Sequence, residues 1–331
     1  MRDQWSYIIE GVVMKGVLVE LLNRRTPLIL DGAMGTEIQR RGVDTGLPMW
    51  SANALFSKPA LIQQIHTEYI EAGADIITSN TFRTTRRTMR RANLPDRSKQ
   101  LTETAVHLAM RAREQFPDRE ILVAGSIAPL EDCYRPDLVP SDAELHYEHM
   151  ELAERLATAG VDFLLVETMN TIREAYAACA AGISTGKEVI VSFVCNSNGD
   201  LLSGETLADA VKSLADLRPA GFSINCVSPH HMAKAVSAIA THLPRLLPGA
   251  IIAAYGNIGN PESDVHGWEF THDMSEEQYA GHAADWARTG VSIVGGCCGT
   301  TPAYIESTTK ALRHEGEDAG RRKETMKAVK E

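Results

Sequence analysis

The chain has 331 residues, with 33 Lys and Arg against 43 Asp and Glu for a formal net charge of −10; such an acidic balance withholds the basic footprint that nucleic acid or an anionic membrane surface needs. A composition of 44% hydrophobic, 23% charged and 6% aromatic residues, with 25 Gly, excludes wholesale disorder and a collagen-like chain and describes an ordinary soluble globular protein. No apolar run approaches the roughly 20 residues of a membrane span, and six cysteines, two of them adjacent, make no disulfide framework, so a reducing cytoplasmic setting is expected.

Residues 1–25 read as an N-terminal extension. Trp5, Ile8, Ile9, Val12 and Val13 lie at roughly helical spacing, while acidic Asp3 and Glu10 and the lack of a small-residue cleavage site argue against a signal peptide, and Met14 could serve as an alternative start. From there apolar, β-branched runs recur at 28–30, 75–78, 121–124, 161–166, 189–194, 221–224, 251–254 and 291–294. They are nearly continuous rather than alternating, as parallel strands covered on both faces should be. Helical periodicity fills the gaps at 59–72, 98–115, 141–159, 172–181, 207–217 and 275–289. Thr171 with Glu174, Ser141 with Glu144 and Ser275 with Gln278 have capping-box spacing. Gly73, Gly160 and Gly290 end helices just before strands. Eight β units, each followed by a helix, predict an α/β protein with a (β/α)8 TIM-type barrel over 26–313; a doubly wound open sheet shares the same count. Residues 314–331 read as a charged C-terminal tail.

The chemistry gathers where strands end, which in a barrel is the active-site face. Ile224-Asn225-Cys226 closes the sixth run, and Gly295-Gly296-Cys297-Cys298-Gly299-Thr300 follows the eighth. Three thiolates converging there would make a tetrahedral zinc site with one position open, the mark of a catalytic site. Ordinary buried cysteines, or a strained bridge between Cys297 and Cys298, are the alternatives. Zinc with three thiolates carries net charge −1 and activates water poorly, so thiol activation for alkyl transfer suits it better than hydrolysis. Asp31-Gly32-Ala33-Met34-Gly35-Thr36-Glu37 is a glycine-rich strand-to-helix turn. It could hold an amino acid, its N–H groups on the carboxylate and Asp31 on the ammonium, or be a tight turn with a capping Thr. Glu167, closing the apolar run Leu164-Leu165-Val166, requires a cation, from within the protein or from a substrate. Cys133, Cys179 and Cys195 show no metal spacing and read as core or surface thiols.

These residues resemble the homocysteine S-methyltransferase family over roughly 26–312. The resemblance is carried by Leu30-Asp31-Gly32-Ala33-Met34-Gly35-Thr36-Glu37, Trp50-Ser51-Ala52, the stretch from His66 to Asp75, Thr78-Ser79-Asn80-Thr81-Phe82, Glu167-Thr168, and above all by Asn225-Cys226 and the Gly-Gly-Cys-Cys-Gly-Thr run. It implies a zinc-dependent barrel. Cys226, Cys297 and Cys298 would bind Zn2+, homocysteine thiolate would fill the open position, and Asp31, Gly32, Ala33, Thr36 and Glu167 would hold the amino-acid end. Asn257 aligns with a Tyr-Pro-Asn pattern and would offer a fourth ligand; here Gly256 replaces the proline. Asn80 and Thr81 would line the substrate pocket. Trp50, Tyr134 and Trp268 could face an onium donor.

Two departures bear on the donor: Arg83-Thr84-Thr85-Arg86-Arg87 replaces aromatic or Gln residues, and 128–134 lacks the Gly-Pro-Tyr-Gly-Ala run of relatives that use S-methylmethionine. The implied reaction moves a methyl group from a sulfonium or quaternary ammonium donor, such as S-methylmethionine or betaine, to homocysteine, giving methionine. Alternatives are a subunit taking methyl from a corrinoid protein, a non-catalytic zinc- or thiol-binding barrel, and a phosphate-binding barrel with Gly295 and Gly296 at the phosphate. A homo-oligomer is compatible with every one of these.

Overall fold

The computed structural model describes residues 16–261, 268–271 and 273–313. Eight parallel strands run β1 Leu28–Ile29, β2 Ile76–Thr78, β3 Leu122–Ile127, β4 Phe163–Met169, β5 Val189–Phe193, β6 Gly221–Asn225, β7 Ile251–Gly256 and β8 Ile293–Gly296. Each pairs with its sequence neighbours, and β8 pairs with β1 through Leu28 opposite Ile293. A bridge from Leu30 to Ile76, with the Asp31 N–H donating to the Ile76 carbonyl at 2.9 Å, joins β1 to β2. The ring therefore closes as a (β/α)8 barrel, and the doubly wound sheet, which must leave two edges, is excluded.

The nearly continuous apolar runs sort by parity into two cores, because successive strand residues point to opposite faces. Ile29, Ile77, Val123, Leu164, Val191, Ile224 and Val294 pack outward against the helices. Leu28, Leu30, Ile76, Leu122, Phe163, Leu165, Ile190 and Ile293 fill the barrel itself. Leu18 and Leu21 of the helix Val17–Arg24 join this inner core. Part of the expected extension is thus a plug packed inside the barrel. The Glu188 carboxylate accepts from the Leu18 and Val19 N–H groups at 2.9 and 3.2 Å, satisfying donors that the first helical turn leaves free. Residues 1–15 and the expected tail 314–331 lie outside the described residues.

The helices include Pro59–Glu71, Ser98–Arg113, Asp142–Ala159, Ile172–Ser184, Leu207–Ala215, Pro229–Leu246 and Glu276–Arg288, and residues 302–313 are helical. Ser141 with Glu144 and Ser275 with Gln278 form reciprocal capping boxes. Thr171 and Glu174 form only half of one. Thr171 Oγ1 accepts from the Glu174 N–H, but the Glu174 carboxylate turns inward to the Leu130 N–H at 2.8 Å and to buried His149 at 3.2 Å. Its charge thus secures the loop after β3 instead of the helix end. No described helix is long and apolar enough to cross a membrane.

Candidate active site

Cys226 follows β6, and Cys297 and Cys298 follow β8. The three sulfurs lie within 4.8 Å of one another, with Cys226 and Cys298 Sγ 4.0 Å apart, and all three are free thiols, so no vicinal bridge forms. Backbone bonding fixes the pair after β8. The Cys297 N–H donates to the Gly256 carbonyl at 2.7 Å, the Cys298 carbonyl accepts from Ile258 N–H at 2.8 Å, and Thr300 Oγ1 donates to the Cys297 carbonyl at 2.7 Å. The flanking glycines are steric requirements. A Cβ on Gly296 would fall 2.3 Å from Thr300 Oγ1, and one on Gly299, at φ +84°, would fall 1.8 Å from the Ile258 carbonyl oxygen.

Cys226 has φ +52°, a costly conformation for a side chain with a Cβ. Its neighbour Asn225 is fully buried and locks three strand ends together. Asn225 Oδ1 accepts from the Thr168 N–H at 2.9 Å and Ser192 Oγ at 2.7 Å, while Nδ2 donates to Thr168 Oγ1 at 2.8 Å and lies 3.9 Å from Cys297 Sγ. Hydrogen bonds from Cys226 and Cys298 hold Cys297 well below the ordinary thiol range, and the same bonding pushes Cys226 well above it. Three adjacent thiolates would require a cation.

Two carboxylates face the thiols across the barrel mouth. Asp31 Oδ2 accepts from the Thr78 N–H at 2.7 Å and Oδ1 from Thr78 Oγ1 at 2.9 Å. Burial pushes its pKa well above the ordinary value, and the Glu167 charge adds to the rise against the Thr78 bonds. Glu167 accepts a short bond from Ser126 Oγ and a longer one, 3.3 Å, from the Tyr255 hydroxyl. Burial raises it to about 7, and the Cys297 charge pushes the same way. Neither carboxylate has a cationic side-chain partner among the described residues. Among the described residues, Glu167 thus meets hydroxyl groups and no cationic side chain.

Thiols and carboxylates open onto one cavity of about 570 Å³, lined also by the 32–35 backbone, Trp50, Asn80, Tyr134 and Trp268. Asn80 is tied to Ser51, accepting from Ser51 Oγ at 2.6 Å and donating to its carbonyl at 3.0 Å, which positions the turn carrying Trp50. A Cβ on Gly35 would strike Trp50 Nε1 at 2.2 Å, so the indole rests against bare backbone. Trp268 Nε1 donates to the Ile258 carbonyl at 2.7 Å, and its backbone bonds Gln39 both ways.

The sequence profile of the family described as homocysteine S-methyltransferase matches residues 28–312. The chain belongs to this family. It is 30% identical to homocysteine S-methyltransferase 1 of Zea mays, over 90% of this chain and 98% of that one, and 31% identical to the homocysteine S-methyltransferase of Escherichia coli strain K12, over 86% and 95%. The metallated form of the homocysteine methyltransferase MmuM from Escherichia coli superposes with a TM-score of 0.76 at 28% identity, covering 88% of this chain and 99% of that one. The protein is thus a methyltransferase of the homocysteine S-methyltransferase class.

Within this homocysteine S-methyltransferase, the expected residues divide. Cys226, Cys297, Cys298, Asp31, Gly32, Ala33, Trp50, Asn80 and Glu167 share the cavity. Thr36 and Thr81 do not line it. Thr36 Oγ1 accepts from the Gly299 N–H at 3.0 Å, anchoring the Cys-Cys-Gly turn from beneath. Thr81 Oγ1 donates to the Ser126 carbonyl at 2.8 Å, joining the ends of β2 and β3. Both side chains are fully buried, and Thr81 Oγ1 also lies 3.0 Å from Ser79 Oγ.

Asn257 lies outside the lining residues; Nδ2 donates to the Gly259 carbonyl at 3.3 Å, and its buried Oδ1 has no partner among the described residues. Gly256 uses the N–H that a proline lacks, donating to the Tyr279 hydroxyl at 3.0 Å. Cys133, Cys179 and Cys195 are all buried, their thiols pushed up to about 12 by burial. The residues missed by sequence reasoning are Thr78, Ser126, Thr168 and Tyr255, which bond the site groups. Ser126 and Tyr255 had a signal: each shares the inward parity of its strand, with Ala124 and Ala253, and places a polar group at its mouth end.

Proposed function

We propose that this enzyme transfers a methyl group from a sulfonium or quaternary ammonium donor, S-methylmethionine or betaine among them, to the thiol of homocysteine, giving methionine, with Zn2+ as its metal. The observation that carries the reading is the meeting, in one cavity, of three clustered thiols and two carboxylates that have no cationic partner among the described residues. The donor set fits zinc. Three soft sulfur ligands within 4.8 Å of one another suit a borderline-soft ion that leaves one position for substrate, and the orphaned Asn257 Oδ1 is a carbonyl oxygen able to serve when substrate is absent. Cys226, Cys297 and Cys298 would hold the ion, which when bound lowers the pKa of an incoming thiol while keeping its sulfur nucleophilic.

The chain's residues supply position and charge. Asp31 and Glu167 receive the homocysteine ammonium, which supplies the cation their burial demands. The backbone of 32–35 approaches its carboxylate. Asn225 keeps Cys226 and Cys297 in register with Thr168, so the acceptor's two ends are fixed relative to each other. Trp50, Tyr134 and Trp268 present aromatic faces and edges to the onium head. The acceptor sulfur attacks the methyl carbon in line; the new S–C bond forms as the donor's bond breaks, and the electron pair leaves with the donor as a neutral thioether or amine. No acid or base touches the methyl carbon, so alignment and a dry mouth carry the rate. The thiols suit a reducing, cytoplasmic setting.

The test is methionine formation by zinc-loaded enzyme from homocysteine with S-methylmethionine, S-adenosylmethionine, betaine, a dimethylsulfonio compound and a methylated corrinoid, each repeated with Cys298→Ala. Turnover with a small onium donor, abolished in the variant, is expected. Turnover with the corrinoid alone, or with none, contradicts the reading.

A further inference from the structure

The cavity holds two cationic side chains, Arg83 and Arg91, and they differ in a way that bears on the donor. Arg91 is spent inside the protein, both of its terminal nitrogens lying on the Glu131 carboxylate. Glu131 is in turn shared with Arg87 at 2.9 Å, and so is not free to neutralise a third guanidinium. Arg83 makes one hydrogen bond, from Nη1 to the Glu131 carbonyl at 2.9 Å, and its guanidinium stands 5.4 Å from the centroid of the Phe82 ring. It forms no ion pair among the described residues. The nearby Asp132 accepts from the Tyr134 N–H at 2.8 Å in its own loop. A guanidinium offers five N–H groups, so Arg83 keeps most of its donors for something else.

It lines the cavity beside the 131–134 loop. Arg83 is bonded to the 131–134 loop, and Cys133 and Tyr134 of that loop lie close enough to Cys297 to feel its charge. A donor with positive charge alone would bring a like charge up to this guanidinium, a repulsion that strengthens as water is excluded. A donor with a carboxylate a few atoms from its onium centre turns that repulsion into attraction. Its cationic head would sit toward the thiols and the aromatic faces of Trp50, Tyr134 and Trp268, and its anionic end would meet a planar fork suited to carboxylate.

We propose, resting on the methyltransferase reading above, that Arg83 is a specificity-determining residue that binds the carboxylate carried by the methyl donors named there, so that this one guanidinium is what separates them from an onium compound with a neutral tail. The experiment is calorimetric titration of zinc-loaded enzyme, without homocysteine, with matched donors: dimethylsulfoniopropionate against 3-hydroxypropyl dimethylsulfonium, and betaine against choline. Each is repeated with Arg83→Gln, which keeps a donor for the Glu131 carbonyl, and Arg83→Lys, which keeps the charge. In the wild type at least one carboxylate donor should bind about 10- to 100-fold more tightly than its neutral-tailed partner, the range expected of a charge-assisted hydrogen bond. The gap should collapse in Arg83→Gln, survive in part in Arg83→Lys, and leave homocysteine affinity unchanged. No gap in the wild type, a gap that persists in Arg83→Gln, or a loss confined to homocysteine binding overturns the proposal. Methionine formation, assayed separately, reports on the methyltransferase reading: a carboxylate gap without turnover leaves Arg83 in place and removes that reading.

Discussion

Asn225 and Thr168 are bonded twice: the Thr168 N–H donates to Asn225 Oδ1 at 2.9 Å, and Asn225 Nδ2 donates to Thr168 Oγ1 at 2.8 Å. Thr168 follows Glu167 and Asn225 precedes Cys226, so this pair couples the carboxylate end of the site to its thiol end. Thr168 at φ +61° and Cys226 at φ +52° are both in the left-handed region, which non-glycine residues keep only when their surroundings impose it. Asn225→Ala leaves the buried Thr168 N–H without an acceptor and frees both kinks. Zinc affinity should fall about 10- to 100-fold, as it does on losing a group that orients metal ligands. Competition against a chromophoric chelator measures this, and unchanged affinity would show that Asn225 only supports the strand ends.

If Glu167 receives the acceptor's ammonium as proposed, Glu167→Gln removes that charge while keeping an acceptor for the bond from Ser126. The KM for homocysteine should rise by about 10- to 100-fold, the value of a hydrogen bond to a charged group, while zinc content stays the same. A fall in kcat with KM unchanged would place Glu167 elsewhere in the mechanism.

Thr36 separates a structural role from a substrate contact. Thr36→Val strips the acceptor from the buried Gly299 N–H, costing about 1–3 kcal/mol. Stability and zinc retention should drop while the KM for homocysteine holds, and Thr36→Ser should restore both. A selective rise in KM would return Thr36 to the substrate pocket.

His66 is fully buried on the helix Pro59–Glu71, and neither ring nitrogen has a partner among the described residues. Burial lowers its pKa from 6.5 to about 3. Below pH 6.5 the unfolded chain takes up a proton that the folded chain refuses, so the stability it contributes is complete above that pH and is lost as pH falls toward 3. The loss is about 2 kcal/mol by pH 5. Urea unfolding at pH 7.5, 6 and 5 should show this decline, and His66→Leu should flatten it. Equal slopes in the two proteins would assign the acid sensitivity to other groups.

Much of the barrel was legible because parallel strands buried on both faces leave long apolar runs, and the thiol cluster because its three cysteines end two such runs. What was not legible in the sequence shares a cause. Thr36, Thr81 and Glu174 carry side chains that could face a ligand or solvent, and only the packed structure shows them bonded to Gly299, Ser126 and Leu130 backbone. Short hydroxyl residues are common in loops, so their type and spacing do not reveal which way they turn. The plug Val17–Arg24 was hidden because a short amphipathic segment ahead of the first strand looks the same whether it is free or docked; what seats it is Glu188, about 170 residues away.

The central claim is that the acceptor thiol joins a zinc ion held by Cys226, Cys297 and Cys298. X-ray absorption at the zinc edge, on the zinc-loaded enzyme with and without homocysteine, tests it most directly. The expected result is three sulfur ligands and one lighter ligand in the free enzyme, becoming four sulfurs when homocysteine is added, with one sulfur fewer in each state of Cys298→Ala if that variant retains metal. A zinc environment unchanged by homocysteine, or one with fewer than three sulfurs in the wild type, would contradict it.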